Sequence, residues 1–407
     1  MCQIKKIIKN ILTGAIIVFL LLNVGCWDLN EVEDITLMIA TGFDFQPEEE
    51  LISYTSHLIR PAGLAGEEEG GGAPGVGPVW ISTSTGKNIF EASLNLAARS
   101  SRVLFEAHTR IIVVGEELAR QRVNELVDFL IRRREQRLNS WILVAREGTA
   151  AEVLQAETEL EDTVSQEIEG ILDNQQRLST APRVQVREFV SSLIQPGKDS
   201  FVPVLEVREE IQPPEEDLLA AQPEGETKKY IVLQGTAVFS GDKLAGYLTV
   251  PETKGLLWVQ GEVGRAVIIP EKPDGGQVTV FISRARSSLE PKFKEDKLKI
   301  KIEIETEGDI GSSNIREDIS DPLVIEKLES KLANNIKQEV LLAFDKSQEY
   351  QSDFLHLGAA FRREDPQKWA KVKENWRQNL SEVEVEVRVI TELRRTGLTT
   401  DPVIREE

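Results

Sequence analysis

Residues 109–115, TRIIVVG, carry the uninterrupted apolar run IIVV, closed by a glycine and followed at once by Glu116 and Glu117. A strand with one wet face alternates apolar and polar residues, whereas a continuous apolar run marks a strand buried on both faces. The run therefore predicts a central strand. The chain after it predicts a helix over 116–137, because Ala119, Val123, Leu126, Val127 and Leu130 fall at spacings of three and four. Residues 140–146 (SWILVAR) are a second buried strand, and Thr149 with Glu152 is a capping box opening a helix through about 157. Residues 184–194 give a further amphipathic helix through Val186, Phe189, Val190 and Leu193. Upstream, residues 80–84 predict a strand and residues 88–99 a helix, with Ile89, Phe90, Leu94 and Ala97 on one side. Residues 35–45 and 51–59 are strands by β-branched content and alternation. Residues 61–79 hold seven Gly, three Pro and the run Glu67-Glu68-Glu69, which makes a surface loop. They are no phosphate cradle, since no Lys-Ser/Thr follows and three carboxylates would repel the ligand.

Past residue 205 the pattern changes. Residues 206–229 are acidic and carry Pro213, Pro214 and Pro223, the composition of a linker or long loop. Short strands at 230–239, 243–248 and 256–259, punctuated by glycines, predict a small middle domain. The remainder follows a β-β-α-β order. Strands are predicted at 263–269, 277–287 and 297–306, the last with Leu298, Ile300, Ile302 and Ile304 inward. Pro322 opens a long helix to about 351, and Pro366 opens a second containing Trp369 and Trp376, both read as core anchors. A closing strand at 382–390 points Val383, Val385, Val387 and Val389 inward. The expected fold is α+β: a signal peptide at 1–25, then three mixed α/β domains at 26–205, 206–262 and 263–407. The last is expected to be an antiparallel sheet packed with long helices.

The composition narrows function. The chain has 407 residues, 48 Lys plus Arg and 68 Asp plus Glu, for a net charge of −20. That balance argues against nucleic acid, whose phosphates are bound by basic side chains. Two cysteines and three histidines (His57, His108, His356) exclude a disulfide framework and leave too few ligands for a Cys/His zinc site. No GxSxG, HExxH, CxxC or GxxxxGK[ST] occurs. Carboxylates about 5–9 Å apart would suffice for an envelope hydrolase acting on glycosidic bonds, but nothing marks out a pair among 68 acids. The three histidines read as structural. Catalytic residues, metal ligands and cofactors are expected to be absent.

The N-terminus reads as an address. Lys5, Lys6 and Lys9 precede the uncharged run 11–22 (ILTGAIIVFLLL), and no acid occurs before Asp28. This is a signal-peptide core, short of the roughly 17–25 apolar residues of a spanning helix. Gly25-Cys26 then resembles a bacterial lipobox, although Asn23 stands where Leu is usual. Diacylglycerol on Cys26 would anchor the chain, two acyl chains giving stable attachment at about 0.8 kcal/mol per buried CH₂. The sequence alone leaves two other readings, an uncleaved signal anchor and secretion with a free Cys26. Each places the rest of the chain outside the cytoplasmic leaflet. Cleavage before Cys26 removes three lysines and no acid, so the net charge goes from −20 to −23. Arg132-Arg133-Arg134 and Arg137 end the predicted helix, either as a solvated basic end suited to the helix dipole or as a contact with anionic lipid or an acidic partner.

Four stretches in order resemble the Ger(x)C family of spore germination lipoproteins. They are Gly25-Cys26-Trp27-Asp28 with TGFD at 41–44; Ser101-Arg102 and His108 leading into IIVVGEELA at 111–119; GTAVFSGDKLAGYL at 235–248 with GLLW at 255–258; and Asp353-Phe354-Leu355, Gly358, Pro366, Trp369 and Trp376 before the Val-Glu strand. Asn23 and the glycine-rich loop depart from the family pattern. The resemblance implies the lipid-anchored subunit of a nutrient germinant receptor, on the outer face of the spore inner membrane, beside two polytopic membrane subunits, one of them transporter-like. It implies three mixed α/β domains and no catalytic activity. The alternative is a lipoprotein solute-binding module that binds the germinant directly, which would call for an apolar cleft between domains with convergent polar groups.

Overall fold

The computed structural model describes residues 34–60, 79–133, 136–211, 227–263, 267–268, 278–294, 297–313 and 321–395, with Ile7, residues 11–14 and Ile319. The predicted signal peptide, its Cys26 and most of the predicted loop at 61–79 lie outside the described residues.

The first half is a nine-stranded mixed sheet. Strands β1 (Ile35–Gln46), β2 (Leu51–Ile59) and β3 (Val79–Gly86) form an antiparallel meander, and helix α1 (Ile89–Ala97) follows. Strand β4 (Val103–Phe105) pairs parallel with the start of β1, and β5 (Ile111–Gly115) with its middle. Helices α2 (Glu116–Gln121) and α3 (Val123–Arg132) lead to β6 (Trp141–Ala145), parallel to β5 from Ile111↔Trp141 to Gly115↔Ala145. Helices α4 (Ala150–Leu154), α5 (Val164–Leu178) and α6 (Val186–Ile194) precede β7 (Phe201–Ile211), which is parallel to β6. The TRIIVVG run is the buried centre. Ile112 and Val114 join one apolar cluster while Ile111 and Val113 join another on the opposite face.

Strands β8 (Thr227–Ser240) and β9 (Lys243–Leu248) continue this sheet antiparallel to β7, so the strands read as a middle domain hydrogen-bond to the first one. The stretch 206–229 is largely β-strand at both ends rather than linker; residues 212–226 lie outside the described residues. The predicted strand 256–259 is instead part of helix α7 (Val250–Gln260). Thr249 and Glu252 form its capping box and Pro251 sits in its first turn. Gly255, Leu256, Leu257, Trp258 and Val259 are all buried, so no period distinguishes helix from strand there.

The second sheet runs β10 (Val267–Ile268), β11 (Val278–Lys294), β12 (Lys297–Ser313), β13 (Glu384–Arg395). Its first three strands are antiparallel, but β13 joins parallel to β12, contrary to the all-antiparallel expectation. The cause is the connection: α8 (Pro322–Glu349), α9 (Leu357–Glu364), α10 (Pro366–Val372) and α11 (Trp376–Leu380) cross over the sheet, and a helical crossover returns the chain in the same direction. Ile300, Ile302 and Ile304 of β12 are buried, as are Leu328, Leu332, Ile336, Val340 and Phe344 of α8.

Two further differences are local. The predicted helix 116–137 breaks at Arg122 (φ −137°, ψ 27°), whose guanidinium sits 4.9 Å from the Phe45 ring centre and bonds Glu125. Helix α5 was not legible. Its buried apolar stripe is only Val164, Ile168 and Leu172, one residue per turn, which a pattern search cannot separate from loop.

Candidate functional site

The sheets are joined by buried polar contacts rather than by an open hinge. Helix α7 lies directly against α8 at Gly255, where a Cβ would stand 2.0 Å from the Glu339 carbonyl oxygen. One turn on, Trp258 Nε1 donates to Glu339 Oε2 at 2.8 Å. Burial raises the Glu339 carboxyl, with that N–H and the charge of Lys254 acting the other way. The hydroxyls of Thr236 and Thr253 share a buried hydrogen bond of 2.8 Å between β8 and α7.

The second joint is built where α8 ends. The chain crosses β8 and β9, with Tyr350 Oη donating to Tyr247 O, Ser352 Oγ to Phe239 O, and Ser240 Oγ to Gln351 O. Gln351 and His356 hold left-handed φ of 47° and 61°, and between them the backbone delivers Asp353 beneath the start of α9. Asp353 is fully buried. Its Oδ1 accepts from Leu357 N at 2.7 Å, and its Oδ2 from Gly358 N at 2.7 Å and Trp376 Nε1 at 2.8 Å. Asp199, at the head of β7, is 3% exposed. Its Oδ1 accepts from Gly241 N and Arg377 Nη2, each at 2.8 Å, and its Oδ2 from Asp353 N at 2.8 Å. Asp199 N in turn donates to Asp353 O at 3.0 Å. The Asp199 carboxylate therefore binds the backbone of both halves, while the Asp353 carboxylate organises its own half and the Asp353 backbone closes the joint.

Two glycines permit the approach. A Cβ on Gly358 would lie 2.7 Å from Gly197 Cα, and Gly197 itself has φ +78°, where a Cβ would lie 2.9 Å from the Trp369 ring. Ala359 N donates to Gly197 O at 2.9 Å across this contact. Trp369 and Trp376 close the core edge-to-face at 4.9 Å between ring centres, and both are buried as core anchors.

Burial pushes the Asp353 carboxyl up to about 7, against the three N–H groups that favour its anion. A folded-state value above the unfolded one means that the native state holds the proton more tightly, so stability rises as pH falls through that value. His356 and His57 act in the opposite sense: burial lowers each to about 4, so their contribution is lost as pH falls below the unfolded value near 6.5. Between pH 8 and 6.5 the Asp353 carboxyl is in transition together with that of Glu262, which burial also pushes up to about 7. Over that window the Asp353 carboxyl alone adds somewhat under about 1 kcal/mol of stability as pH falls, and Asp353→Asn should remove that share of the slope. Melting curves at the two pH values, for both proteins, check this; an unchanged slope in the variant would refute it.

The arrangement holds structure rather than attacking a substrate. Both carboxylates direct their oxygens at protein N–H groups. The clefts beside the joint have about 460 and 450 Å³. The first is lined by Lys198, Asp199, Lys373, Glu374 and Arg377, the second by Arg183, Arg187, Lys198, Gln260 and His356, so neither is the apolar pocket a solute-binding module calls for. The histidines take structural places. His57 Nε2–H donates to Leu154 O at 2.6 Å, His356 sits 3.2 Å from Asp199 O, and His108 is exposed beside Phe105. Among the described residues no group of three His, Cys, Asp or Glu side chains is placed to hold a metal ion, and no helix is long and apolar enough to cross a membrane. Asp199, Asp353 and Arg377 were not expected as site residues. The available signal was Asp353, an acid directly ahead of Phe354-Leu355 in a stretch otherwise reading as core.

Comparison with known proteins covers both halves. Residues 28–207 match the spore germination protein N-terminal domain, and residues 234–397 match the domain described as spore germination B3/GerAC like, C-terminal. Among curated proteins, spore germination protein KC of Bacillus subtilis (strain 168) is 27% identical over 393 residues, covering 93% of this chain and 94% of the relative. Spore germination protein B3 of the same organism is 24% identical over 365 residues, covering 88% and 91%. The crystal structure of the GerBC protein superimposes with a TM-score of 0.54 at 20% identity, covering 90% of this chain and 99% of that one.

Proposed function

Because the chain belongs to the spore germination B3/GerAC-like family, carrying that family's N-terminal and C-terminal domains in order, we propose that it is the lipid-anchored, non-enzymatic subunit of a nutrient germinant receptor. In this reading diacylglycerol on Cys26 holds it to the outer face of the spore inner membrane, beside two polytopic membrane subunits, one transporter-like. Its three predicted units act as one scaffold. The observation that carries the reading is the family match across both halves of a chain whose Gly25-Cys26 stands just ahead of the first matched residue. The buried joint adds support, since a body held together where the Asp199 carboxylate and backbone meet the Asp353 backbone passes force between partners without a hinge to absorb it. The rival reading, direct capture of the germinant, fits poorly with polar clefts at the joint.

Cys26→Ala tests the anchor. Removing two acyl chains, each contributing about 0.8 kcal/mol per buried CH₂, should move the protein from the spore membrane to the soluble fraction and impair nutrient germination. Variant spores that germinate normally with the protein still on the membrane would overturn the anchor. Co-purification from spore membranes tests the assembly: two polytopic proteins are expected with the wild-type chain, and their absence counts against the receptor.

A further inference from the structure

The parallel strands β1, β5 and β6 begin at one end of the large sheet, and that end has a composition unlike the rest of the acidic chain. Ile35 at the start of β1 pairs with Val103, while Arg110 N donates to Ile39 O and Trp141 N to Arg110 O. Helices α1 and α3 run back to the same end and stop at Ala97 and Arg132. Arg133 ties them together, bonding Ser93 Oγ of α1 at 2.9 Å and the buried Glu106 carboxylate at 3.0 Å. Six exposed arginines gather on these segments: Arg99, Arg102, Arg110, Arg132, Arg137 and Arg187. Arg110, Arg132 and Arg187 have carboxylate neighbours in Glu169, Asp128 and Glu188. Arg99, Arg102 and Arg137 have no ion pair among the described residues.

Apolar side chains stand out among these arginines. Val103 is 51% exposed, Ile131 52% and Leu138 44%. The opposite end of the same strands is acidic, with Glu48, Glu49 and Glu50 at the β1–β2 turn and Glu117 and Glu147 nearby, all exposed. Although Asp34 is exposed at the first end and Lys87 at the second, arginines dominate the one and glutamates the other, so the sheet is electrically polarised along its strands. Its basic end is where the segment carrying Asp28, Glu31 and Glu33 arrives from Cys26. Eight residues, 27–34, separate Cys26 from Ile35, a reach of at most about 30 Å.

We propose that this end of the sheet faces the bilayer, where its arginines bind the phosphates of an anionic phospholipid surface and Val103, Ile131 and Leu138 rest at headgroup depth. The inference rests on the anchor reading given above. Guanidinium groups interspersed with apolar side chains fit an interface that is charged outside and hydrocarbon beneath. An acidic protein partner would match the charge alone, and the short tether keeps this end at the membrane. Each basic group near an anionic surface strengthens the contact roughly five-fold, so the basic end orients a body whose net charge would otherwise be repelled.

The test uses the full acylated lipoprotein in vesicles of phosphatidylcholine, alone or with one quarter phosphatidylglycerol. Val103→Cys carries an environment-sensitive fluorophore, and Glu48→Cys at the far end of β1 serves as control. The expected result is a blue shift at Val103 in the anionic vesicles only, none at Glu48, and loss of the shift in high salt or in the triple variant Arg99→Glu, Arg102→Glu, Arg137→Glu. Protein that sediments with both vesicles but shows the same Val103 emission in each overturns the face alone. Protein left in the supernatant with phosphatidylcholine overturns the anchor, and this orientation with it.

Discussion

Asp353→Ala is expected to lower unfolding free energy by about 3–5 kcal/mol, read as a shift of the chemical-denaturation midpoint at pH 7.5. The variant leaves three buried donors, Leu357 N, Gly358 N and Trp376 Nε1, without their acceptor. Each dry donor costs about 1–3 kcal/mol. The opposing effect is release of the carboxylate from its desolvation, which burial makes substantial. It does not win, because the proton already relieves part of that cost near neutral pH while nothing replaces three lost acceptors. Arg377→Ala should be milder, since Arg377 is half exposed and Asp199 keeps its two backbone donors. Equal losses in the two variants would mean that the joint does not depend on satisfying buried N–H groups.

Gly255→Ala is expected to destabilise by about 2–3 kcal/mol, even though alanine favours an isolated helix by about 1 kcal/mol. The added Cβ would sit 2.0 Å from Glu339 O and 2.8 Å from the Ala343 Cβ, so α7 and α8 must separate by more than an ångström. Separation also lengthens the bond from Trp258 Nε1 to Glu339. The signature is therefore lost stability together with a change in Trp258 fluorescence. A variant as stable as the parent would show that the helices slide without cost and that the two sheets are less firmly joined than their contacts indicate.

Much of the fold was legible where one physical rule dominates. Within the stretches 109–115 and 140–146, residues 111–115 and 141–145 carry no charged or hydroxyl side chain to contradict burial, and they became the paired strands β5 and β6. The alternating residues of β12, and Pro322 and Pro366 at helix starts, likewise took their expected places. Residues 256–259 failed because a helix buried on all sides loses its period. Residues 206–211 and 227–229 failed because composition reports solvent exposure, and the far part of the β7–β8 hairpin, beyond its pairing with β6 and β9, is exposed while still hydrogen-bonded.

The sequence by itself determined the alternation of buried strands and helices, the family, and the acidic charge, since each depends on residue type and local order alone. Only the tertiary structure decided that the strands after residue 226 extend the first sheet, that β13 runs parallel to β12, and that Asp199 meets Asp353. Those outcomes depend on pairings between segments up to 154 residues apart, as at Asp199 and Asp353. Hydrogen-bond satisfaction in a dry interior selects such partners, and no local pattern encodes which distant N–H group a carboxylate will meet.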